Sequence, residues 1–272
     1  MVASIELLTR DGLAFGFRWL HVLAGITWIG LLYYFNVVQV PAFAAYGDEG
    51  RARNIAIDKV ARRALWWFRW ASVATLVMGL LIIGATKDYM ASFMQNYNAT
   101  IIVNGVPQTN PKPRGFGIGH NSVILVGMVL GITMAANVWM VIWKNQKVVL
   151  ANAANVVSGG EADPAAAGAG RAALLASRQN TIFSVSMLFF MVGASHFYLS
   201  HFSAATAGKG WTFVIIAFVL IALFEVNALG ILGGKANTNK LLWPFESHKN
   251  AIITAFSLWV VLWILSEIIL KK

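Results

Sequence analysis

Residues 211–232 read WTFVIIAFVLIALFEVNALGIL, an apolar run broken by one ionisable side chain, Glu225. A helix needs about 20 apolar residues to cross the hydrocarbon core of a bilayer. This run has the length, and it lacks the period-two alternation that marks a half-buried strand. Five further runs of the same kind occur at about 13–38, 65–86, 118–143, 181–201 and 251–270. The fold expected is therefore all-α, a polytopic membrane bundle of about six transmembrane helices forming a single domain over 1–272.

Composition agrees. Hydrophobic residues make up 58% of the chain and charged residues 12%, against about 45–50% and about 25% in soluble domains. A soluble protein of that balance exposes large apolar patches and aggregates. The net charge of +10 would suggest nucleic acid, but most of the basic residues fall in loops on one side, as positive-inside topology requires. No nucleic-acid partner is expected. The chain has no cysteine, which excludes disulfides, thiolate metal sites and C-x-x-C-H haem attachment within it.

Lys and Arg set the orientation. One side collects Arg51, Arg53, Lys59, Arg62, Arg63, Arg69, Lys144, Lys147, Arg171, Arg178, Lys235, Lys240 and Lys249. That side reads as cytoplasmic, with both termini periplasmic, in a bacterial inner membrane. Ala42-Phe43-Ala44 resembles a signal-peptidase site, but Glu6 and Asp11 precede an apolar stretch too long for a leader, so the first run is read as a retained span. Residues 47–64 read either as a basic amphipathic helix on the cytoplasmic surface or as an extension of the second span. Residues 151–171 extend helices into the cytoplasm around a Gly159-Gly160 break, and the outer loop 88–117 is expected to cap the outer face.

Five histidines are the obvious ligands for haem or metal. By this topology His21, His120, His196 and His201 lie at one depth in the outer half; only His248 sits in a cytoplasmic loop. Intramembrane ionisable residues are functional candidates, because isolated ones are costly in lipid. Haem b between helices needs inward imidazoles and small neighbours that admit the ring. Gly25 follows His21 by four residues, Gly193 precedes His196 by three, and Gly127 and Gly131 share a face with His120. The expected cofactor is non-covalent haem b, with His21 and His196 as iron ligands and His120 as substitute or second-site ligand. The plainer alternative is that these glycines pack helices, as small-x-x-x-small patterns do. Arg18, one turn before His21, either pairs with a haem propionate or snorkels to headgroups. His201, five residues past His196, points elsewhere. A deeper polar set, Asn36, Asn137, Glu225 and Asn227, reads as interhelical glue ahead of proton relay.

The run 17–35, FRWLHVLAGITWIGLLYYF, resembles the first span of the membrane-bound urate oxidase (urate hydroxylase) family. GITMAANVWMVIWKNQKVV at 131–149, then Ala162-Asp163-Pro164-Ala165, Arg178-Gln179-Asn180-Thr181 and MLFFMVGASHF at 187–197 continue the likeness. The resemblance implies a multi-span domain that oxidises urate and passes electrons to a C-terminal cytochrome c domain. It matches the family's first-span histidine to His21 and its fourth-span histidine to His196. The third-span histidine falls nearer Gly127, where this chain has Leu125. No cytochrome c domain is expected in this cysteine-free chain, so electrons would pass to a separate cytochrome or redox subunit. Outer acidic residues are few, which gives a basic cytochrome no steering. Two rival expectations stand: a non-catalytic accessory subunit of a larger respiratory or other membrane complex, and copper handling at the outer face through Met90 and Met94. No residue pattern assigns a purine site.

Overall fold

The computed structural model describes residues 8–86, 89, 100–109, 119–198 and 207–271. Among them are six helices long and apolar enough to cross a membrane: α1 (Arg10–Ala45), α2 (Gly50–Ala85), α3 (Gly119–Val157), α4 (Ala165–Tyr198), α5 (Ala207–Ala228) and α6 (His248–Leu270). Each follows from an apolar run bounded by local stop signals. Thr9 caps α1, its Oγ1 accepting from Gly12 N at 3.2 Å, and Ser247 caps α6, accepting from Asn250 N at 3.0 Å. Past the end of α5, Gly230 takes φ +76°, and the Ile231 N–H bonds back to Val226 O at 3.1 Å. That is the left-handed helix stop glycine favours, and it ends α5 short of the expected residue 232. Gly159, at φ +94°, turns the chain between α3 and α4 where the Gly-Gly break was expected.

The first four helices overrun their spans. At about 1.5 Å per residue they reach about 50–60 Å, well beyond a ~30 Å core. Of the two readings of 47–64, the structure shows the extension of the second span. Residues from Gly50 onward run unbroken into the second span, because the backbone stays α-helical on both sides of a π-turn at Ile57–Ala61. This extension stands against α3 rather than lying flat: Arg62 Nη2 donates to Leu150 O at 3.0 Å and to Asp58 Oδ1 at 2.5 Å. Further π-turns interrupt α1 at Tyr34–Gln39, α3 at Asn137–Ile142 and α4 at Ala194–Tyr198.

Burial ranks the helices. About half of the span windows of α3 and α4 is buried (56% and 50%), against 22–28% for the other four helices. The antiparallel α3–α4 pair is thus the centre, with α5 and α6 packed on one side and the α1–α2 hairpin on the other. The hairpin is tied on by Tyr33 Oη to Ser184 Oγ (2.9 Å), Asn36 Nδ2 to Ser177 Oγ (2.8 Å) and Trp139 Nε1 to Ser72 Oγ (3.3 Å). In lipid such polar contacts and close packing hold helices together, since apolar burial drives little association there.

The bundle has a basic end, with the α1–α2, α3–α4 and α5–α6 connections, and a histidine end, with the α2–α3 and α4–α5 connections. At the basic end the short helical turn Trp243–Glu246 is clamped to α4. Arg171 grips both oxygens of Glu246 (2.9 and 2.5 Å), and the Arg178 Nη1 donates to Phe245 O at 2.6 Å. Within the α2–α3 connection, β1 (Thr100–Val103) and β2 (Val106–Thr109) form an antiparallel hairpin. Its turn residues Asn104 and Gly105 both have positive φ, 53° and 79°, as a tight hairpin turn demands. The hairpin is a small addition to the all-α expectation; whether the rest of that loop caps the bundle lies outside the described residues.

Candidate cofactor site at the histidine end

His21 leaves α1 toward α2, and its Nδ1 lies 2.8 Å from the Thr75 carbonyl oxygen. A carbonyl can only accept, so Nδ1 carries the proton and Nε2 is the bare nitrogen of the neutral ring. The cause is legible in α2. A helical carbonyl is normally shielded by the side chain four residues on, and four residues after Thr75 stands Gly79. A Cβ at Gly79 would lie 3.3 Å from His21 Cε1 and 3.4 Å from Nδ1. The missing side chain is what lets the imidazole reach the backbone. Gly25, one turn from His21 on its own helix, meets nothing within 4 Å, so the space beside it is open.

His120, in the first turn of α3, repeats the arrangement. Its Nδ1 is 2.9 Å from the carbonyl oxygen of Ala194, the residue that opens the π-turn of α4. Both rings are half-buried, and both leave Nε2 as the free nitrogen. A ligand histidine commonly spends its other ring N–H in this way on a backbone carbonyl, which fixes tautomer and ring plane.

His196 sits in the same π-turn, two residues past Ala194, and is exposed. Gly193 beside it makes room for a neighbouring ring: a Cβ there would lie 3.4 Å from Tyr198 Cε2. Tyr198 is fully buried and shares a 2.6 Å hydrogen bond with Ser266 of α6. Gly127 serves helix packing, since its Cβ would meet the Met191 backbone nitrogen at 3.3 Å. Arg18 is exposed on α1. Gly131 has only van der Waals neighbours, Met187 and Met191 at 3.9 Å. His201, Met90 and Met94 lie outside the described residues. Among those described, no three His, Cys, Asp or Glu side chains gather as a metal cluster.

The deeper polar set resolves into a bridge across three helices. The Nδ2 of Asn137 donates to Asn180 Oδ1 of α4 (3.1 Å) and to Glu225 Oε2 of α5 (3.0 Å), and Asn180 Nδ2 donates to Met134 O (2.9 Å). Asn227 bonds Leu241 O (2.7 Å) and stands apart. Sequence reasoning singled out Asn137 and Glu225 but missed Thr75, Gly79 and Ala194. Of these only the Thr75-x-x-x-Gly79 spacing, an uncovered carbonyl on one helix face, carried a signal.

No curated protein and no solved structure matches this chain. The sequence model described as urate oxidase N-terminal matches residues 115–265. That stretch spans more than half of the chain, takes in His120, His196 and the Asn137–Glu225 bridge, and leaves out α1 and α2. The protein belongs to the urate oxidase N-terminal family and is a urate oxidase-like membrane protein.

Proposed function

We propose that the chain is the membrane haem-b subunit of a urate oxidase-like redox system, with the haem near the histidine end and electrons leaving to a separate cytochrome or redox subunit. The observation that carries this reading is the matched pair of imidazoles. His21 and His120 each spend Nδ1 on a backbone carbonyl (2.8 and 2.9 Å) and keep Nε2 free. The residues suit the group: neutral imidazole is its usual axial ligand, and the open space at Gly25 leaves the flank of His21 unfilled. His21 and His120 are the first pair to hold the iron, and His196, exposed in the adjoining π-turn, is the third candidate. Bound haem would supply a one-electron relay. The chain's own part is to set each ring's plane and tautomer through Thr75 and Ala194. The positive-inside bias puts the basic end in the cytoplasm and the histidine end toward the periplasm, where the electron partner would dock.

A pyridine haemochrome assay with an optical redox titration tests this on protein purified from membranes of haem-replete cells. A bis-imidazole spectrum is expected, lost in His21→Ala and His120→Ala and kept in His196→Ala. Absence of a Soret band in the unsubstituted protein would overturn the haem reading. That result, with stoichiometric partners retained in mild detergent, would select a non-catalytic accessory subunit instead. Retention of haem in both His21→Ala and His120→Ala would reject the ligand pair.

A further inference from the structure

Arg69 of α2 carries a charge that nothing in the fold answers. Its Cζ sits over the Trp143 ring of α3, 3.3 Å from the ring centroid. Nε and Nη1 are enclosed by their neighbours and have no hydrogen-bond partner. Nη2 is neither enclosed nor bonded within the fold. The ion pairs among the described residues join Lys59 and Arg62 to Asp58, Arg171 to Glu246 and Lys271 to Glu267, and Arg69 is in none of them. Asp58 is the only acid on α2, about 16 Å back along the helix, and it already holds two cations. α3 has no acid at all. An arginine in a span would ordinarily snorkel to the headgroups. Here the cation–π contact with Trp143 pins the guanidinium between two helices, so the headgroup has to come to it.

Three contacts fix its depth. Toward the basic end, α2 meets α3 first at Ser72–Trp139 (3.3 Å), then at Arg69–Trp143, then at Arg62–Leu150 (3.0 Å). Arg69 therefore stands about 10 Å inside the level of Arg62. Trp66, Trp67 and Trp70 are exposed within one turn of it, and the Trp70 ring meets that of Trp139 at 5.7 Å. Tryptophan gathers where headgroups give way to hydrocarbon, so these indoles mark that boundary and set the guanidinium at it. On α3 the exposed Lys144 and Lys147 follow Trp143 toward the basic end, while Met140, deeper, is 73% exposed. From the basic end inward the α2–α3 seam thus offers mobile cations, a fixed guanidinium and then bare apolar surface. That is the order of charge and chain in a phospholipid, and basic sites between spanning helices suit acidic headgroups. With no free acid on either helix to meet a choline or ethanolamine, the seam favours a lipid of net negative charge.

We propose that the α2–α3 seam at Arg69 binds one anionic phospholipid from the leaflet at the basic end, its phosphate on Arg69 Nη2 and an acyl chain over Met140. The site is separate from the histidine end and does not depend on the haem reading. The full chain in detergent micelles is titrated with phosphatidylglycerol, with phosphatidylcholine of the same acyl chains, and with inorganic phosphate. Thermal unfolding reads affinity, and native mass spectrometry counts the lipid retained. One retained phosphatidylglycerol and a saturable rise in Tm are expected, with phosphatidylcholine about tenfold weaker or more and inorganic phosphate inert. Arg69→Gln should lower phosphatidylglycerol affinity about tenfold, the worth of one charge-assisted contact. Arg51→Gln removes the same charge about 27 Å away along α2 and should change nothing, which separates a site from general surface attraction. Trp143→Leu, which frees the guanidinium, should also weaken binding and serves if Arg69→Gln does not fold. Equal binding of the two lipids by the unsubstituted protein, a result that needs no variant, would overturn the proposal. So would stabilisation by inorganic phosphate equal to that by lipid, undiminished binding in Arg69→Gln, or the same loss in Arg51→Gln.

Discussion

Gly79→Ala isolates the contact that orients His21. The added methyl would lie 3.3 Å from His21 Cε1 and 3.4 Å from Nδ1, tighter than ordinary van der Waals contact. To yield, the imidazole must shift by a few tenths of an ångström, away from a Thr75 hydrogen bond that is 2.8 Å long. Overpacking of this kind costs about 1–3 kcal/mol, and weakening the bond removes part of a net ~1 kcal/mol. Against that, replacing a helical glycine by alanine returns about 0.5–1 kcal/mol. The control is Gly84→Ala on the same helix, where a Cβ meets nothing within 4 Å, so only the favourable term applies. Gly79→Ala should therefore be less stable than Gly84→Ala by about 1–3 kcal/mol. In a His21→Ala background the neighbour is gone, and the two substitutions should become equivalent, a coupling of the size expected for residues in contact. Denaturation in mixed micelles, run on haem-free protein so that ligand loss does not enter, measures the five variants and the unsubstituted protein. Equal stabilities of the two alanine variants with His21 present, or a difference that persists without it, would refute the placement of His21 against α2.

The clamp at the basic end gives a pH signature. Hydrogen bonds from Arg171 hold the Glu246 carboxyl below its ordinary value, against a smaller opposing effect of burial. A carboxylate with a depressed folded pKa stabilises the fold above its unfolded pKa, about 4.3, and that stability is lost as pH falls through the folded value. Glu246→Gln should thus cost about 1 kcal/mol at pH 7, given a partly exposed pair, and should flatten the acid limb of stability against pH, read by thermal unfolding from pH 7 to 3. A second contrast lies in α3. A Cβ on Gly127 would press the Met191 backbone nitrogen at 3.3 Å, whereas one on Gly131 would make ordinary 3.9 Å contacts. Gly127→Ala should lower the micelle unfolding midpoint, by about 1–3 kcal/mol, and Gly131→Ala should leave it unchanged or raise it.

The spans were legible because lipid makes them so: a run such as 211–232 has no other stable fate. The chain break at Gly159-Gly160 was legible too, since only glycine takes φ +94° without strain. The Asn137–Glu225 contact was readable as glue, because a carboxyl in hydrocarbon needs a partner and asparagine was the nearest candidate in depth. The continuity of residues 50–64 with α2 was only half legible. The same basic, partly apolar sequence serves a helix lying on a membrane or one standing against a neighbour, and contact between Arg62 and Leu150 of α3 decides it.

What depth assignment cannot carry is azimuth. Of the four histidines expected at one level, three lie among the described residues, and the turn of each helix separates them: His21 and His120 face backbone carbonyls, while His196 faces outward. The glycine that serves His21 is Gly79, on a different helix, while Gly193 accommodates Tyr198. The π-turns bear on only one of these histidines: His196 lies within one, while His21 and His120 precede those of their helices. Each inserts one extra residue into a helical turn and so rotates everything beyond it by about 100° relative to an unbroken 3.6-residue helix. Four of the six spanning helices carry one, so a face drawn through any of them at constant period is wrong on the far side. Positions within or beyond a π-turn, such as His196 at the histidine end, are therefore the hardest to read from sequence.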